Sequence, residues 1–469
     1  MKKQFILILS ILISIAAFSQ DDIQSFTLQE AIDYALENNA TAKNAERDIE
    51  IAKQQKWETT AIGLPQINAN IEYQNWLKQQ VSLLPAAAFD NTQSTIDIVN
   101  DYFDSNQTNF DVNTPQGFIP VRFGTKQNVN ASATLTQILF DGSYLVGLQS
   151  VKVFLQIAEN AKEKTDLEVR KMVINAYGNV LLVEESVRIL NKNIAVLDKN
   201  LEEVTKIYEN GLEEEESVEQ LQITLSSLQS SLNNTERLKT LAYQMLNITL
   251  GINVNTTSVL TDNLESLTVQ NIALNLLDTE DNIENSVDFK IANNDKVSKE
   301  ILLKYEKSKS LPSLTAFING GYIANSDLFA FTNADQKWLG SSLLGVSLNV
   351  PIFSSGMRSA KTQRAKIEFE KAVENLSETE QQLKLQIASA KSNYQFAIEE
   401  YQNKKENLNL AERIEQKNQT KFFEGISSSF DLRQAQTQLY TAQQQLLQAM
   451  LDVINKKADL ETVLNTTLN

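Results

Sequence analysis

The chain of 469 residues contains no histidine and no cysteine, and only 6 prolines and 14 glycines. Each shortage closes a route. Without His or Cys there is no imidazole base, no thiolate nucleophile and no zinc site of the usual ligand types, so catalysis would have to rest on carboxylates, hydroxyls or lysines. No paired-carboxylate or Gly-x-Ser-x-Gly motif recommends such chemistry, and the expectation is a protein that is not an enzyme and needs no metal or cofactor. Positive charge is short as well. With 42 Lys plus Arg against 59 Asp plus Glu, the net charge of −17 opposes nucleic-acid binding, which needs clustered basic residues to displace counterions. The missing cysteines assign no redox compartment, because a disulfide-free chain can live in either.

The prolines stand at 65, 85, 115, 120, 312 and 351, which leaves 121–311 and 352–469 free of them. Proline breaks a helix interior and glycine weakens one, so these are the tracts where long helices can survive. Long apolar runs are also missing, with one exception at the N-terminus. Met1, Lys2 and Lys3 give a positive start, Phe5 to Phe18 an apolar core, and Ala17, Phe18 and Ser19 the small-residue spacing that a signal peptidase reads. Residues 1–19 are therefore expected to be a signal peptide cleaved before Gln20. The run is shorter than the roughly 20 residues of a transmembrane helix, which is the case against a retained anchor. Processing leaves 40 basic against 59 acidic residues, a mature charge of −19. No later segment offers a transmembrane helix, so insertion in a membrane would have to use strands.

Thr27 and Glu30 frame a helix start as a capping box, and Leu28, Ala31, Ile32, Ala35 and Leu36 repeat at helical spacing. This helix is expected to run to about Ile62 and stop at Gly63, Leu64 and Pro65. From Pro65 the period becomes two: Ile67, Ala69, Ile71 and Tyr73 alternate with Asn68, Asn70, Glu72 and Gln74. The alternation returns at Val129, Ala131, Ala133 and Leu135, at Leu314, Ala316 and Ile318, and at Leu344, Val346, Leu348, Val350 and Ile352. Strands of about ten residues can cross a bilayer at a tilt, with an apolar row toward lipid and a polar row toward a watery lumen. Tyr73, Trp76, Tyr322 and Trp338 lie near strand ends, where interfacial girdles form. A soluble sandwich with one wet face fits the same alternation.

From Val169 a 4-3-4-3 spacing picks out Val173, Ala176, Val180, Val183, Val187, Leu190, Ile194, Leu197, Leu201, Val204 and Tyr208, a coiled-coil seam. Leu376, Glu380, Leu383, Ile387, Ala390, Tyr394, Ala397, Tyr401, Lys404, Leu408 and Ala411 repeat the rule with two polar exceptions. Each long helix ends at a glycine turn and is followed by a partner helix. The two halves match: Phe140 and Phe353 are 213 positions apart, and Gly211 and Gly425 are 214 apart. Two landmarks at nearly one offset mark an internal repeat. The first repeat spans 20–251, with strands at 65–76 and 121–140 around an insertion at 77–120, then a hairpin at 143–250. A connecting segment at 252–282 leads to the second repeat at 283–469, with strands at 312–324 and 341–353 and a hairpin at 357–465. The insertion carries Phe89, Tyr102, Phe103, Phe110 and Phe118 among Asp90, Asp97, Asp101, Asp104 and Asp111, and is expected to be extracellular.

The helix start at Phe26 to Asn39, the Leu-Pro strand openings, Leu139-Phe140-Asp141-Gly142, Pro351-Ile352-Phe353 and the glycine-turned hairpins resemble the TolC-type outer-membrane efflux proteins. The resemblance covers nearly the whole mature chain. It implies a mainly α fold with membrane β: a homotrimer whose four strands per chain build one 12-stranded barrel in outer-membrane lipid, with long coiled-coil hairpins forming a periplasmic α-barrel. It implies a conduit in a tripartite efflux or type I secretion system, working with a periplasmic adaptor and an inner-membrane pump. The strands independently require an oligomer, because four cannot close a membrane barrel, and twelve is the smallest multiple that leaves a conduit. A periplasmic coiled-coil adaptor or scaffold that forms no channel is the rival reading.

Carried over by position, the resemblance places the adaptor-binding tips at Gly211, Leu212, Gly425 and Ile426, where two C-cap glycines would also be at home. It places a charged channel constriction at Asp431, with Gln434 where a second acidic residue is expected. Asp431 as a capping residue near a helix start is the other reading. The positions that form polar locks in some relatives are Ser217, Phe422 and Ser427, which cannot make an ion pair, so closure must use other contacts. Glu213, Glu214, Glu215 and Glu216 form either an acidic rim for a basic adaptor or cations, or a solvated run favoured by the helix dipole.

Overall fold

The computed structural model describes residues 24–103, 116–279 and 282–466. The expected signal peptide, with Asp104, Phe110 and Asp111 of the insertion, lies outside them. In chain order the elements are β1 Gln24–Phe26, α1 Leu28–Asn38, α2 Ala40–Ile62, β2 Gln66–Asn75, β3 Val81–Pro85, α3 Thr92–Phe103, β4 Phe118–Arg122 and β5 Gln127–Asp141. The chain continues through α4 Gly142–Glu209, α5 Glu215–Leu250, β6 Ser258–Leu260, α6 Leu264–Gln270, α7 Val287–Ser308, β7 Ser313–Ser326, β8 Trp338–Asn349, α8 Met357–Phe423 and α9 Ser429–Leu464. These residues fall into two compact units. One holds the chain up to Trp57, Gly147–Glu306 and Ser359–Asn469; the other holds Glu58–Val146 and Lys307–Arg358.

The first helix departs from the single run expected to Ile62. Thr27 and Glu30 do form the capping box, with Thr27 N–H donating to Glu30 Oε2 at 2.8 Å and Glu30 N–H to Thr27 Oγ1 at 3.3 Å. At Asn39 the backbone leaves the helix (φ −59°, ψ 136°). The Asn39 side chain then accepts from Thr41 N–H at 2.7 Å and donates to the Thr249 carbonyl at 2.8 Å, capping the restart as α2. Periodicity continues across such a break, so it does not register in the spacing of apolar residues.

The smaller unit is built on one antiparallel sheet of order β2-β5-β7-β8. Its register aligns the period-two rows across all four strands: Ile67, Leu135, Ile318 and Leu344 form one row, and Tyr73, Val129, Ala324 and Trp338 another on the same face. The opposite face begins with Asn68, Thr134 and Asn319, joined by an Asn319–Thr134 side-chain bond of 2.6 Å, and with Asn70 and Ser132. Most of this apolar face is exposed, with Ile71 at 77% and Leu344 at 72%, while Ala324 is buried. Tyr73 packs edge-on against Phe329 and Phe331, making an aromatic cluster at the row's end. Strands β2 and β8 each have one unpaired edge within the sheet. The described part of the insertion is a β3–β4 antiparallel hairpin carrying α3, with Tyr102 and Phe103 exposed.

The larger unit buries the heptad residues. Val169, Val173, Val180, Leu197 and Val204 of α4 are fully covered, as are Leu383, Ile387, Tyr394, Tyr401 and Ala411 of α8, while Tyr208 at the seam's end is exposed. Burial of each such Val or Leu contributes roughly 1.5–3 kcal/mol. The connecting segment is anchored to this core. β6 pairs in parallel with β1, and Asp262 accepts from Leu28 N–H at 2.7 Å and from the buried Tyr177 hydroxyl at 2.8 Å. A second cluster, Leu190, Leu197, Val204, Val218, Leu221, Leu228, Phe422 and Leu432, joins α4, α5, α8 and α9 near their turns. No helix among the described residues is long and apolar enough to cross a membrane.

Candidate functional site at the hairpin turns

The two helical hairpins turn by the same backbone device. After α4, Leu212 N–H donates to the Ile207 carbonyl at 3.1 Å and Gly211 N–H to Tyr208 at 2.8 Å; after α8, Ile426 N–H donates to Lys421 at 2.7 Å and Gly425 N–H to Phe422 at 2.9 Å. Each is a Schellman motif, which needs a left-handed residue where the helix ends, and Gly211 and Gly425 supply it at φ 75° and 72°. The apolar residue that normally folds back on such a helix is instead presented to solvent: Leu212 is 78% exposed and Ile426 69%. With Phe430 also exposed, the turns display uncovered apolar side chains.

The helices that follow the turns start differently. Glu214 stands at the N-cap of α5 without a side-chain bond, and Glu215 and Glu216 occupy its first turn. At the matching place in the second repeat, Ser428 caps α9 and Asp431 closes a capping box. The Ser428 hydroxyl accepts from Asp431 N–H at 3.2 Å and donates to Asp431 Oδ2 at 2.7 Å, while Ser428 N–H donates to the same oxygen at 3.1 Å. These bonds from Ser428, with the charge of Lys421 behind them, hold the Asp431 carboxyl below the usual carboxylate range. Asp431 is therefore an exposed, ionised capping carboxylate within one protomer. Gln434, one turn on, is exposed beside Phe430 and Arg433. Arg433 lies over the Phe430 ring at 5.4 Å.

The three lock positions have separate fates. Ser217 donates to Glu213 Oε1 at 2.6 Å and bonds the Ser429 hydroxyl at 2.8 Å, a direct polar link between the hairpins. Phe422 is buried in the apolar cluster at the turns, and Ser427 stays within its own turn, its hydroxyl donating to the Asn418 carbonyl at 3.5 Å and its N–H to the Lys421 carbonyl at 3.3 Å. The contacts that hold the hairpins together include the Ser217–Ser429 bond and the Phe422, Leu432 and Val218 packing.

A feature that the heptad rule passed over runs beside the apolar seam. Ser186, Asn193 and Asn200 recur every seven residues on α4 and are all buried. Asn193 Nδ2 donates to Gln443 Oε1 of α9 at 2.8 Å, and Gln419 Nε2 of α8 donates to Asn200 Oδ1 at 3.1 Å. Gln436 of α9 is 1% exposed, and Glu415 of α8 lies half-buried against it. The seven-residue recurrence of Asn193 and Asn200 was the available signal.

Residues 301–466 match the outer membrane efflux protein family. Among solved structures, the outer membrane protein VceC from Vibrio cholerae superposes with a TM-score of 0.68 at 16% identity, covering 94% of this chain and 96% of that one. The Campylobacter jejuni CmeC outer membrane channel gives 0.67 at 16% identity, covering 93% and 85%. The open state of the Neisseria gonorrhoeae MtrE outer membrane channel gives 0.64 at 16% identity, covering 94% and 89%. The sequence has no significant match among curated proteins.

Proposed function

We propose that the chain is a TolC-type outer-membrane efflux protein, and that three copies close a 12-stranded barrel and a helical tunnel as the exit duct of a tripartite pump. The observation that carries the oligomer is the sheet with two open edges and an uncovered apolar face. In hydrocarbon every backbone N–H and C=O must be paired, so the outer edges of β2 and β8 have to meet those of neighbouring copies. Four strands are too few to close alone, and eight would largely fill their interior. The uncovered Ile67–Leu344 row then faces lipid and the Asn68–Asn319 row faces the lumen. The protein works in the outer membrane as an efflux channel, and its structural relatives are channels.

The hairpin turns are the docking end in this reading. Leu212 and Ile426, held out by Gly211 and Gly425, offer an apolar edge to a periplasmic adaptor that bridges to an inner-membrane pump. Glu213 to Glu216 would set an acidic rim beside it, twelve carboxylates in a trimer of four each. Asp431 from each copy would ring the entrance and favour cations, with Gln434 adding no charge to that ring. The two roles of Asp431 are compatible, because a capping carboxylate at the first turn of α9 remains ionised and exposed.

The test is reconstitution of the protein extracted from outer membranes. A trimer that conducts in planar bilayers, with cation preference reduced in Asp431→Asn, is expected. A soluble periplasmic species without conductance would sink the channel reading and return the coiled-coil scaffold.

A further inference from the structure

The apolar packing of the four long helices is interrupted. One core ends at Leu181 of α4, Leu246 of α5, Tyr401 of α8 and Leu446 of α9. The cluster at the turns starts at Leu190, Leu228, Phe422 and Leu432 of the same helices. Between these limits no Val, Leu, Ile, Met or aromatic side chain is fully buried; the buried residues are Ser186, Ala411, Ala435, Gln436, Ala442 and Gln443. Val183 and Val187, which continue the α4 seam, are only part-buried, and Leu238 and Leu241 of α5 are exposed. The bonds across this level are polar. Asn193 Nδ2 donates to Gln443 Oε1 at 2.8 Å, joining α4 to α9, and Glu184 of α4 takes Lys239 Nζ at 2.7 Å and the Tyr243 hydroxyl at 2.9 Å from α5. Toward the turns, by contrast, the hairpins are bound to each other. The apolar cluster there draws on all four helices, Gln419 Nε2 of α8 donates to Asn200 Oδ1 of α4 at 3.1 Å, and the Ser217 and Ser429 hydroxyls meet at 2.8 Å.

We propose that this polar level is a breakpoint built into the helices. The turn end of all four, with Leu212, Ile426 and Asp431 on it, loosens from the rest of the helical body as one cooperative piece, and the two hairpins stay together as it does so. Water can replace an amide–amide bond at little net cost, whereas parting the hairpins at the turns would expose Leu197, Val204 and Leu432, so the packing yields first where it is polar. A segment with few buried apolar contacts on one side and a closed cluster on the other is where a protein opens below its global stability. The inference concerns packing within a protomer and goes beyond the channel reading, on which it does not depend.

Hydrogen exchange by mass spectrometry on the full-length protein tests it. Amides of 194–209, 219–232, 412–423 and 433–442 should exchange at one shared rate, faster than those of 169–182 and 446–464. Leu432→Ala removes a buried side chain from α9 alone, so a cooperative end should quicken by one factor, roughly thirtyfold, in all four stretches and not in the body. A rise confined to α8 and α9 means that the hairpins part from each other, and a rise that reaches 169–182 and 446–464 means that there is no boundary; either overturns the proposal. If Leu432→Ala does not fold, the unsubstituted protein in sub-denaturing urea gives the same comparison, because the four stretches must then share one urea dependence, and separate dependences overturn the proposal. Asn193→Leu with Gln443→Leu makes the level apolar and should slow exchange of the four stretches by about threefold or more. Unchanged exchange there removes the breakpoint from the amides. No readout needs conductance, so the channel reading and the breakpoint fail separately.

Discussion

Ser428 and Asp431 share one capping box, yet a cap and a charged entrance ask different things of it, so paired substitutions separate them. Ser428→Ala deletes the acceptor for Asp431 N–H at 3.2 Å and the donor to Asp431 Oδ2 at 2.7 Å, leaving only the Ser428 N–H bond. Losing an N-cap hydroxyl costs about 1 kcal/mol, within a range of roughly 0.5–2. On an exposed helix start this cost appears locally, as about fivefold faster amide exchange over the first turn of α9. The charge at Asp431 is untouched, so ion selectivity should not change. Asp431→Asn keeps an oxygen that can accept from Ser428 N–H and hydroxyl, so exchange over the first turn should change by less than about twofold, while the cation preference falls because three charges leave the entrance. Hydrogen exchange by mass spectrometry reads the first effect, and reversal potentials in a salt gradient read the second. If Asp431→Asn leaves the reversal potential unchanged, Asp431 is a cap and nothing more, and the entrance filter must be sought elsewhere.

Two further tests address the other surfaces. Ile71→Arg puts a charge in the uncovered apolar row and should cost roughly 2–4 kcal/mol near the bilayer midplane, whereas Asn70→Arg on the opposite face should be tolerated; the yield of heat-dissociable trimer in outer membranes compares them. Equal yields would mean that the face does not meet lipid. Converting Glu213, Glu214, Glu215 and Glu216 to Gln should weaken adaptor binding and flatten its salt dependence, since the charge that salt screens is gone. Unchanged affinity and conductance would make the run a solvated helix start favoured by its dipole.

Much of the architecture was legible because it rests on local chemistry. Thr27 and Glu30, Gly211 and Gly425, the prolines at strand boundaries and the two apolar periods each act over a few residues, where spacing alone carries the information. The break at Asn39 was not legible, because its stabilisation comes partly from the Thr249 carbonyl 210 residues away. At the lock positions only the lack of an ion pair was legible. Ser217 could be seen to lack an ion-pair partner, but its bond to Ser429 depends on how one hairpin lies on the other.

The sequence by itself determined the elements: which tracts could be long helices, which could be half-wet strands, and where each hairpin turns. Those follow from backbone geometry and from the repeat of apolar residues, both readable one residue after another. Only the tertiary structure decided which polar side chains the seam would bury. Asn193, Asn200, Gln419 and Gln443 are unremarkable hydrophilic residues on helices with many others. Burial made them matter, since an amide removed from water must find its partner in the protein: Asn193 meets Gln443 and Asn200 meets Gln419, each more than 200 residues away in the chain.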